Sequence, residues 1–207
     1  MKNTYEKGYK PLFEKYKNRI EQTNSHSNIE LKGIKEFNIS EEDAFFVLAY
    51  TGSYSSWLNS DLRNGMPLHT KCKKYFATRL CEVLNLLPSY NDGFVFRMDN
   101  PSGDKETVLN WFSSQINKIV KTPYFHSTSK DNYNNADIIW KIKTLETDSF
   151  GKDLSLLTND KGEREILFIP NSYFKVKSVD KITSIIDMQE VTRQETFIEL
   201  TRLYFEQ

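Results

Sequence analysis

Gly162-Glu163-Arg164-Glu165-Ile166-Leu167-Phe168-Ile169-Pro170 sets two glutamates, one residue apart, at the start of an unbroken apolar run. The stretch ahead of it, Thr158-Asn159-Asp160-Lys161-Gly162, is small and polar. Pro170 closes the run, so the segment reads as a loop delivering a buried strand over residues 165–170. Residues i and i+2 of a strand point to one side, which brings the Glu163 and Glu165 carboxylates close enough to feel each other. Solvated acids at a strand start are the plain reading. A buried strand that opens with two same-side carboxylates, however, suffers repulsion and desolvation unless something cationic binds there.

Two upstream stretches carry polar chemistry on expected strands. Phe94-Val95-Phe96-Arg97-Met98-Asp99, bounded by Asn91-Asp92-Gly93 and Asn100-Pro101, is an apolar strand closed by an arginine. Tyr124-Phe125-His126-Ser127-Thr128-Ser129 places three hydroxyls in a row. Alternation puts Ser127 and Ser129 on one face and Thr128 on the other. The same alternation points His126 away from Ser127; a general-base role stays open, with a satisfied structural or surface histidine the preferred reading. His26 and His69 fall in loop-like stretches and receive no role.

Around these elements the chain changes character along its length. The first half reads helical: residues 5–21, then a polar loop over 22–38. A helix capped by Ser40, with Asp43 three positions on, follows and is expected to break at Gly52. Further helices are expected over 55–63, stopped by Asn64-Gly65, over 70–87, stopped by Pro88, and over 104–120. The second half reads as strands: 94–98, 124–129, 137–145, 165–170, 173–179, 181–189 and 195–205. Helices first and strands later give an α+β fold with a mainly antiparallel sheet. One domain over 1–207 is expected, with 1–90 a mainly helical lead-in and 91–207 the mainly β part.

Bulk properties bound the function. The 207 residues carry 28 Lys+Arg and 28 Asp+Glu, a formal net charge of zero, which argues against nucleic-acid binding by bulk charge. Lys71, Lys73, Lys74 and Arg79 leave a local basic helix face. A chain of this size buries roughly 70% of its unfolded surface and needs no disulfide or metal staple. Cys72 and Cys81 stand on different faces of one expected helix, and no Cys/His cluster suggests zinc. No run is long and apolar enough to cross a membrane. The first residues lead into no apolar h-region, so a Sec leader is not expected. The expected location is cytoplasmic, or inside a target cell reached by a route without such a leader.

Arg97, then Ser127-Thr128-Ser129, then Glu163-x-Glu165, each tied to a strand and in this order, resembles the Arg-Ser-Glu class of mono-ADP-ribosyltransferases, the cholera toxin and exoenzyme-like group. The segment from Glu163 to Val176 looks like that family's Glu-x-Glu strand, Pro-containing turn and following strand. Upstream, Tyr50-Thr51-Gly52, Trp57-Leu58-Asn59 and Leu62-Arg63 look like the helical lead-in of bacterial exoenzyme members. Ile138-Ile139-Trp140-Lys141-Ile142 and Gly151-Lys152-Asp153-Leu154-Ser155 fit in order and spacing. The resemblance covers about residues 40–180. The sequence departs from it in two places. Met98-Asp99 follows Arg97 where many members carry glycine, closer to the Arg-x-Asp form of cholera-toxin-like members, and residues 158–162 hold no aromatic.

The resemblance implies an ADP-ribosyltransferase-like α+β fold, with an antiparallel β-sandwich core around an NAD cleft. It implies a glycosyl transfer in which NAD+, as substrate, is split at the nicotinamide–ribose bond and ADP-ribose passes to a target protein. Glu165 would stabilise the ribose cation, Glu163 would serve the acceptor, Arg97 would hold the pyrophosphate and Ser127 would hold Glu165. Thr128 and Ser129 would shape the strand and contact the cofactor. Tyr124, Phe125, Phe174 and Tyr54 are candidates for the nicotinamide pocket, with ordinary core the preferred reading of Phe174. No metal is implied. Glutamate at position 163 points to arginine as acceptor, since a carboxylate attracts a guanidinium and can take its proton. Transfer to RNA or DNA, NAD+ glycohydrolysis and an inactive binding module stand as alternatives. A small catalytic chain of this kind implies toxin or effector use, with a cognate inhibitor or antitoxin as a further partner.

Overall fold

The computed structural model describes residues 36–101, 104–133, 136–157 and 164–200. The helix expected over 5–21 lies outside the described residues, as do Glu163 and the polar loop ahead of it. Helix α1 spans Glu41–Ala49. Its cap is the expected one: Asp43 N–H donates to Ser40 Oγ at 3.0 Å. The expected break at Gly52 does not occur. One π-helical turn, Tyr50–Tyr54, leads directly into α2, Ser55–Arg63. Glycine inside a helix costs only about 1 kcal/mol, and burial of Tyr50 and Leu58 on either side overrides it. The wide turn absorbs the odd residue without interrupting the run. Helix α2 stops at Asn64-Gly65, where Gly65 takes φ 68°. Helix α3, Lys71–Leu84, is capped by Thr70 and stops three residues before Leu87 in a tightened last turn, Leu87 N–H to Leu84 O at 3.0 Å.

Helix α4 covers Lys105–Ser114 and not the expected stretch to Val120. Asn117 turns the chain at φ 69°, and Ile119–Thr122 is a strand, its β-branched pair laddered against Phe174 and Lys175. The strands are β1 Phe94–Asp99, β2 Ile119–Thr122, β3 His126–Ser129, β4 Ile138–Lys143, β5 Gly151–Asp153, β6 Glu165–Phe168, β7 Ser172–Asp180, β8 Ile185–Val191 and β9 Ile198–Glu199. They form one sheet in the order β5-β6-β3-β1-β4-β8-β7-β2-β9. Every pairing is antiparallel except β4 with β8 and β2 with β9, which gives the expected α+β class. Residues 181–184, expected as strand, form the turn between β7 and β8, with Ser184 at φ 60°. Of the strand expected over 195–205 only Ile198–Glu199 is laddered, and 201–207 lie outside the described residues. Strand β5 is not legible in the sequence: three residues with a glycine and two charges carry no apolar signal. Gly151 is needed there, since a Cβ would stand 2.9 Å from Ile166 Cγ2.

Two apolar cores share β6. Leu167 joins α1, α2 and α3 around Phe46, Leu58, Phe76 and Phe125. Ile166 and Phe168 face the other way, onto Val95, Phe112, Trp140 and Phe174. A strand covered on both faces needs no polar alternation, which is why Ile166-Leu167-Phe168 reads as a continuous apolar run.

Asn59 and Tyr50 fasten the helical layer to Phe125, just ahead of β3. Asn59, fully buried, donates from Nδ2 to Phe125 O at 3.0 Å and accepts from Phe125 N–H at 3.1 Å. It also donates to Tyr50 Oη at 3.1 Å, and the Tyr50 hydroxyl donates to the same carbonyl at 3.2 Å. Both polar backbone groups of Phe125 are therefore taken by α2, and laddering of β3 begins at His126 instead of the expected Tyr124.

His126 points into the second core, among the rings of Tyr124, Trp140, Phe168 and Phe174, with ring centroids 5.2–6.3 Å away. It is fully buried, and neither ring nitrogen has a hydrogen-bond partner among the described residues. Burial, then the charges of Arg97 and Arg63, hold its pKa well below the usual histidine value.

Two outcomes follow from this packing. Asn59→Ala leaves the Phe125 N–H buried and unpaired, so unfolding free energy falls by about 2–4 kcal/mol in urea titration. The second concerns acid. The unfolded chain protonates His126 near pH 6.5 while the folded chain does not, so stability is complete above that pH. Below it, stability declines by up to about 1.4 kcal/mol per pH unit until the depressed folded-state pKa is passed. His126→Phe, which fits the ring cage, removes about one proton from that slope; urea melts of both proteins between pH 7.5 and 5 measure the difference.

Candidate active site

Strands β1 and β3 share a single ladder pair, Phe96↔Ser129. Beyond it β1 pairs along its whole length with β4, and β3 pairs with β6. The two strands part and leave a cleft of about 290 Å³, lined by Arg97, Ser127, Thr128, Ser129, Tyr133 and Glu165 together with Phe96 and Met98. The parting of one strand pair thus brings the three polar stretches of sequence together.

Glu165 begins β6 opposite Ser129, on the face shared with Leu167. It is 7% exposed, and Ser127 Oγ donates to its Oε1 at 2.6 Å. A short hydroxyl-to-carboxylate bond of this kind offsets part of the desolvation of a buried carboxylate and fixes its rotamer. The other two hydroxyls serve the backbone. Thr128 Oγ1 donates to Ile166 O at 2.7 Å, and Ser129 Oγ accepts from Asp131 N–H at 3.1 Å. Burial, and then the charge of Glu165, raise the pKa of the Tyr50 phenol, which stays neutral.

Arg97 spans the gap. Its Nη1 donates to Ser127 O at 3.1 Å, where a ladder bond would otherwise run. Its Nε donates to Asp99 Oδ2 at 3.0 Å, and its Nη2 lies 2.7 Å from Asp99 Oδ1. Burial alone lowers its pKa, but the Asp99 carboxylate outweighs that and the guanidinium ends above its ordinary value.

A second arginine, which the sequence offers only within the helical lead-in, stands nearby. Arg63, the last residue of α2, lies over the Tyr124 ring, 5.2 Å from its centroid. It has no ion-pair partner among the described residues. Burial, then repulsion from Arg97, lower its pKa. A half-buried guanidinium in that state is a ready receptor for an anion. Of the ring candidates, Phe125 and Phe174 are fully buried, one in each core. Tyr54 stacks on Phe76 at 5.8 Å and is not among the residues lining the cleft, and Tyr124 lies under the Arg63 guanidinium. The aromatics that line the cleft, among the described residues, are Phe96 of β1 and Tyr133, the latter four residues past Ser129, where a search for rings before the glutamate pair passes over it.

Among the described residues, no group of His, Cys, Asp and Glu forms a metal site, and no helix is long and apolar enough to cross a membrane. No curated protein matches the chain in sequence. Its fold is shared by several solved structures. The Clostridium limosum C3 exoenzyme is 17% identical, with TM-score 0.62 over 77% of this chain and 89% of that one. C3stau2 from S. aureus, solved with NAD, is 17% identical, with TM-score 0.61 over 77% and 91%. The ADP-ribosyltransferase Vis, solved in complex with agmatine, is 15% identical, with TM-score 0.61 over 93% and 92%. The sequence itself matches the ADP-ribosyltransferase exoenzyme model over residues 13–203, and the chain belongs to that family.

Proposed function

We propose that the protein splits NAD+ at the nicotinamide–ribose bond and transfers a single ADP-ribose to an arginine side chain of a target protein. The observation that carries this reading is the Ser127–Glu165 bond, at the floor of a cleft whose wall holds Arg97 with Arg63 nearby. Arg97 is paired with Asp99 but Arg63 has no ion-pair partner among the described residues, which leaves a guanidinium charge suited to a pyrophosphate. A fixed carboxylate beyond it suits a developing ribose cation.

In the proposed reaction the pyrophosphate lies against Arg63 and Arg97, and the ribose lies over Glu165. The glycosidic C–N bond breaks and its electron pair leaves with nicotinamide, which departs neutral. C1′ becomes oxocarbenium-like, and Glu165 stabilises it, with a hydrogen bond from the ribose 2′-hydroxyl. A guanidinium nitrogen of the acceptor then bonds to C1′ and gives its proton to Glu163. The Thr128 and Ser129 hydroxyls, both engaged by backbone, hold the strand in shape. Two of the fold relatives support the substrate and acceptor assigned here: C3stau2 was solved with NAD, and Vis with agmatine, a molecule ending in a guanidinium. The target lies in the cytoplasm, of the producing cell or of a cell into which the protein is delivered.

Glu165→Gln lowers the rate of NAD+ cleavage about 100- to 1000-fold, the scale of losing one preorganised electrostatic group, while NAD+ affinity changes far less. Near-full cleavage by this variant would refute the assignment. Glu163→Gln abolishes transfer to protein but leaves NAD+ hydrolysis, because Glu165 still supports bond breaking. Labelled NAD+ with a cell lysate, followed by mass spectrometry, reads the acceptor. Label on nucleic-acid bases, or on residues other than arginine, would overturn arginine while leaving the cleavage chemistry standing.

A further inference from the structure

We propose that Asp99 is a positioning residue for NAD+ binding: it locks the Arg97 guanidinium so that the two terminal nitrogens face the pyrophosphate. The inference rests on the NAD+ reading above and adds to it a residue outside the cleft lining.

A guanidinium has five N–H donors in one plane. In Arg97 three are committed. Nε and one N–H of Nη2 grip the two oxygens of Asp99, and one N–H of Nη1 is held by the Ser127 carbonyl. Two N–H groups remain, one on each terminal nitrogen, and these are what Arg97 has to offer an anion in the cleft it lines. Asp99 does not line the cleft itself. It reaches Arg97 because residues two apart on β1 share a face. A side-on carboxylate and a backbone carbonyl on the opposite strand fix the plane of the fork from two directions. With Asp99 gone, the Ser127 contact alone leaves the guanidinium free to turn about it. Ser127 is also the residue whose hydroxyl holds Glu165, so the orientation of Arg97 and that of the carboxylate meet on one residue of β3.

A competing role for the same side chain makes the opposite forecast. If Asp99 were only a counter-charge to two crowded arginines, removing its charge would make the cleft more positive and tighten NAD+ binding. If Asp99 positions the fork, removing it weakens binding despite the gain in positive charge. Asp99→Asn separates the two. The variant is nearly isosteric and uncharged, and its amide turns an N–H donor toward a guanidinium donor, breaking the two-point grip.

The experiment is an isothermal titration of the full chain with NAD+, paired with steady-state NAD+ cleavage. For Asp99→Asn the dissociation constant and KM are expected to rise about tenfold, the usual scale for losing a partner that orients a binding group, with kcat changed about threefold at most. Asp99→Glu, which keeps the carboxylate on a longer arm, is expected to recover part of the loss. In Arg97→Lys, which has no fork to orient, adding Asp99→Asn is expected to have little further effect. Equal or tighter NAD+ binding by Asp99→Asn overturns the positioning role, as does failure of Asp99→Glu to recover any affinity. The wild-type titration tests the underlying reading separately: if the wild-type chain binds no NAD+, the proposed function falls and this inference with it. Should Asp99→Asn fail to fold, the Asp99→Glu titration alone decides, since unaltered binding and KM with the arm lengthened would refute a geometric lock.

Discussion

Strand β6 is covered on both faces, and the rest of the molecule is arranged around that burial. Its alternate side chains feed two separate cores, one made by the helices and one by the sheet with α4. An ionised group is costly within such a strand. It is tolerable at the end, where β6 meets the cleft, provided it is hydrogen-bonded. Glu165 stands at that end, and the Ser127 hydroxyl meets it. The apolar run behind Glu165 keeps its backbone from shifting. A carboxylate held this way requires no reorganisation when positive charge develops in front of it, the condition under which electrostatic stabilisation is most effective.

Strand β3 transmits this order. It has four laddered residues, too few to hold a fixed place by pairing alone. Three tethers act on it from different directions. Asn59 grips Phe125 from the helical layer, β6 pairs along one edge, and Arg97 reaches the Ser127 carbonyl across the gap to β1. The gap itself is the product of competing partners: β1 is committed to β4 and β3 to β6, so neither follows the other past Phe96 and Ser129. An arginine suits that gap better than any neutral side chain. Its fork satisfies the carbonyl exposed by the parting and still carries charge into the opening.

Much of the sheet and of the cleft is legible in the sequence, for a physical reason. Strands such as Phe94–Asp99 and Ser172–Asp180 carry their apolar pattern in adjacent residues, and the polar groups of the cleft sit at the ends of such strands, where charge next to an apolar run is conspicuous. What sequence patterning misses depends on contacts between distant segments. Gly52 signals a break by propensity, yet the helix runs on because Tyr50 and Leu58 are buried on either side of it. Ile119-Val120 extends an apparent helix until Phe174 and Lys175 are there to pair with it. Arg63 looks like one more basic residue closing a helix, and only the fold places it over Tyr124 and near Arg97. Tyr133 reaches the cleft from a loop that carries no periodic signal. The role of Asp99 is hidden differently. In the sequence it stands out only as a departure from a motif, whereas its meaning lies in which edge of Arg97 it occupies.

The same geometry argues for a division between bond breaking and acceptor selection. Everything the structure places around the proposed ribose site, Glu165 with Ser127 and Arg97 with Asp99, is anchored to laddered strands and to one another. The proposed acceptor-side group, Glu163, precedes Arg164, which is exposed and whose side chain pairs with Asp131 on the loop after β3 at 3.1 Å. The backbone carbonyl of Arg164 also accepts from Lys130 N–H at 3.0 Å, so the approach to Glu165 is joined to the far end of β3 immediately before the β6 ladder starts. An exposed ion pair of that kind contributes little to stability, ~0–1 kcal/mol. Burial thus changes over a single step of the chain, from exposed Arg164 to buried Glu165. A carboxylate proposed to face a ribose cation gains from being fixed in this way, because it then needs no reorganisation as the positive charge develops.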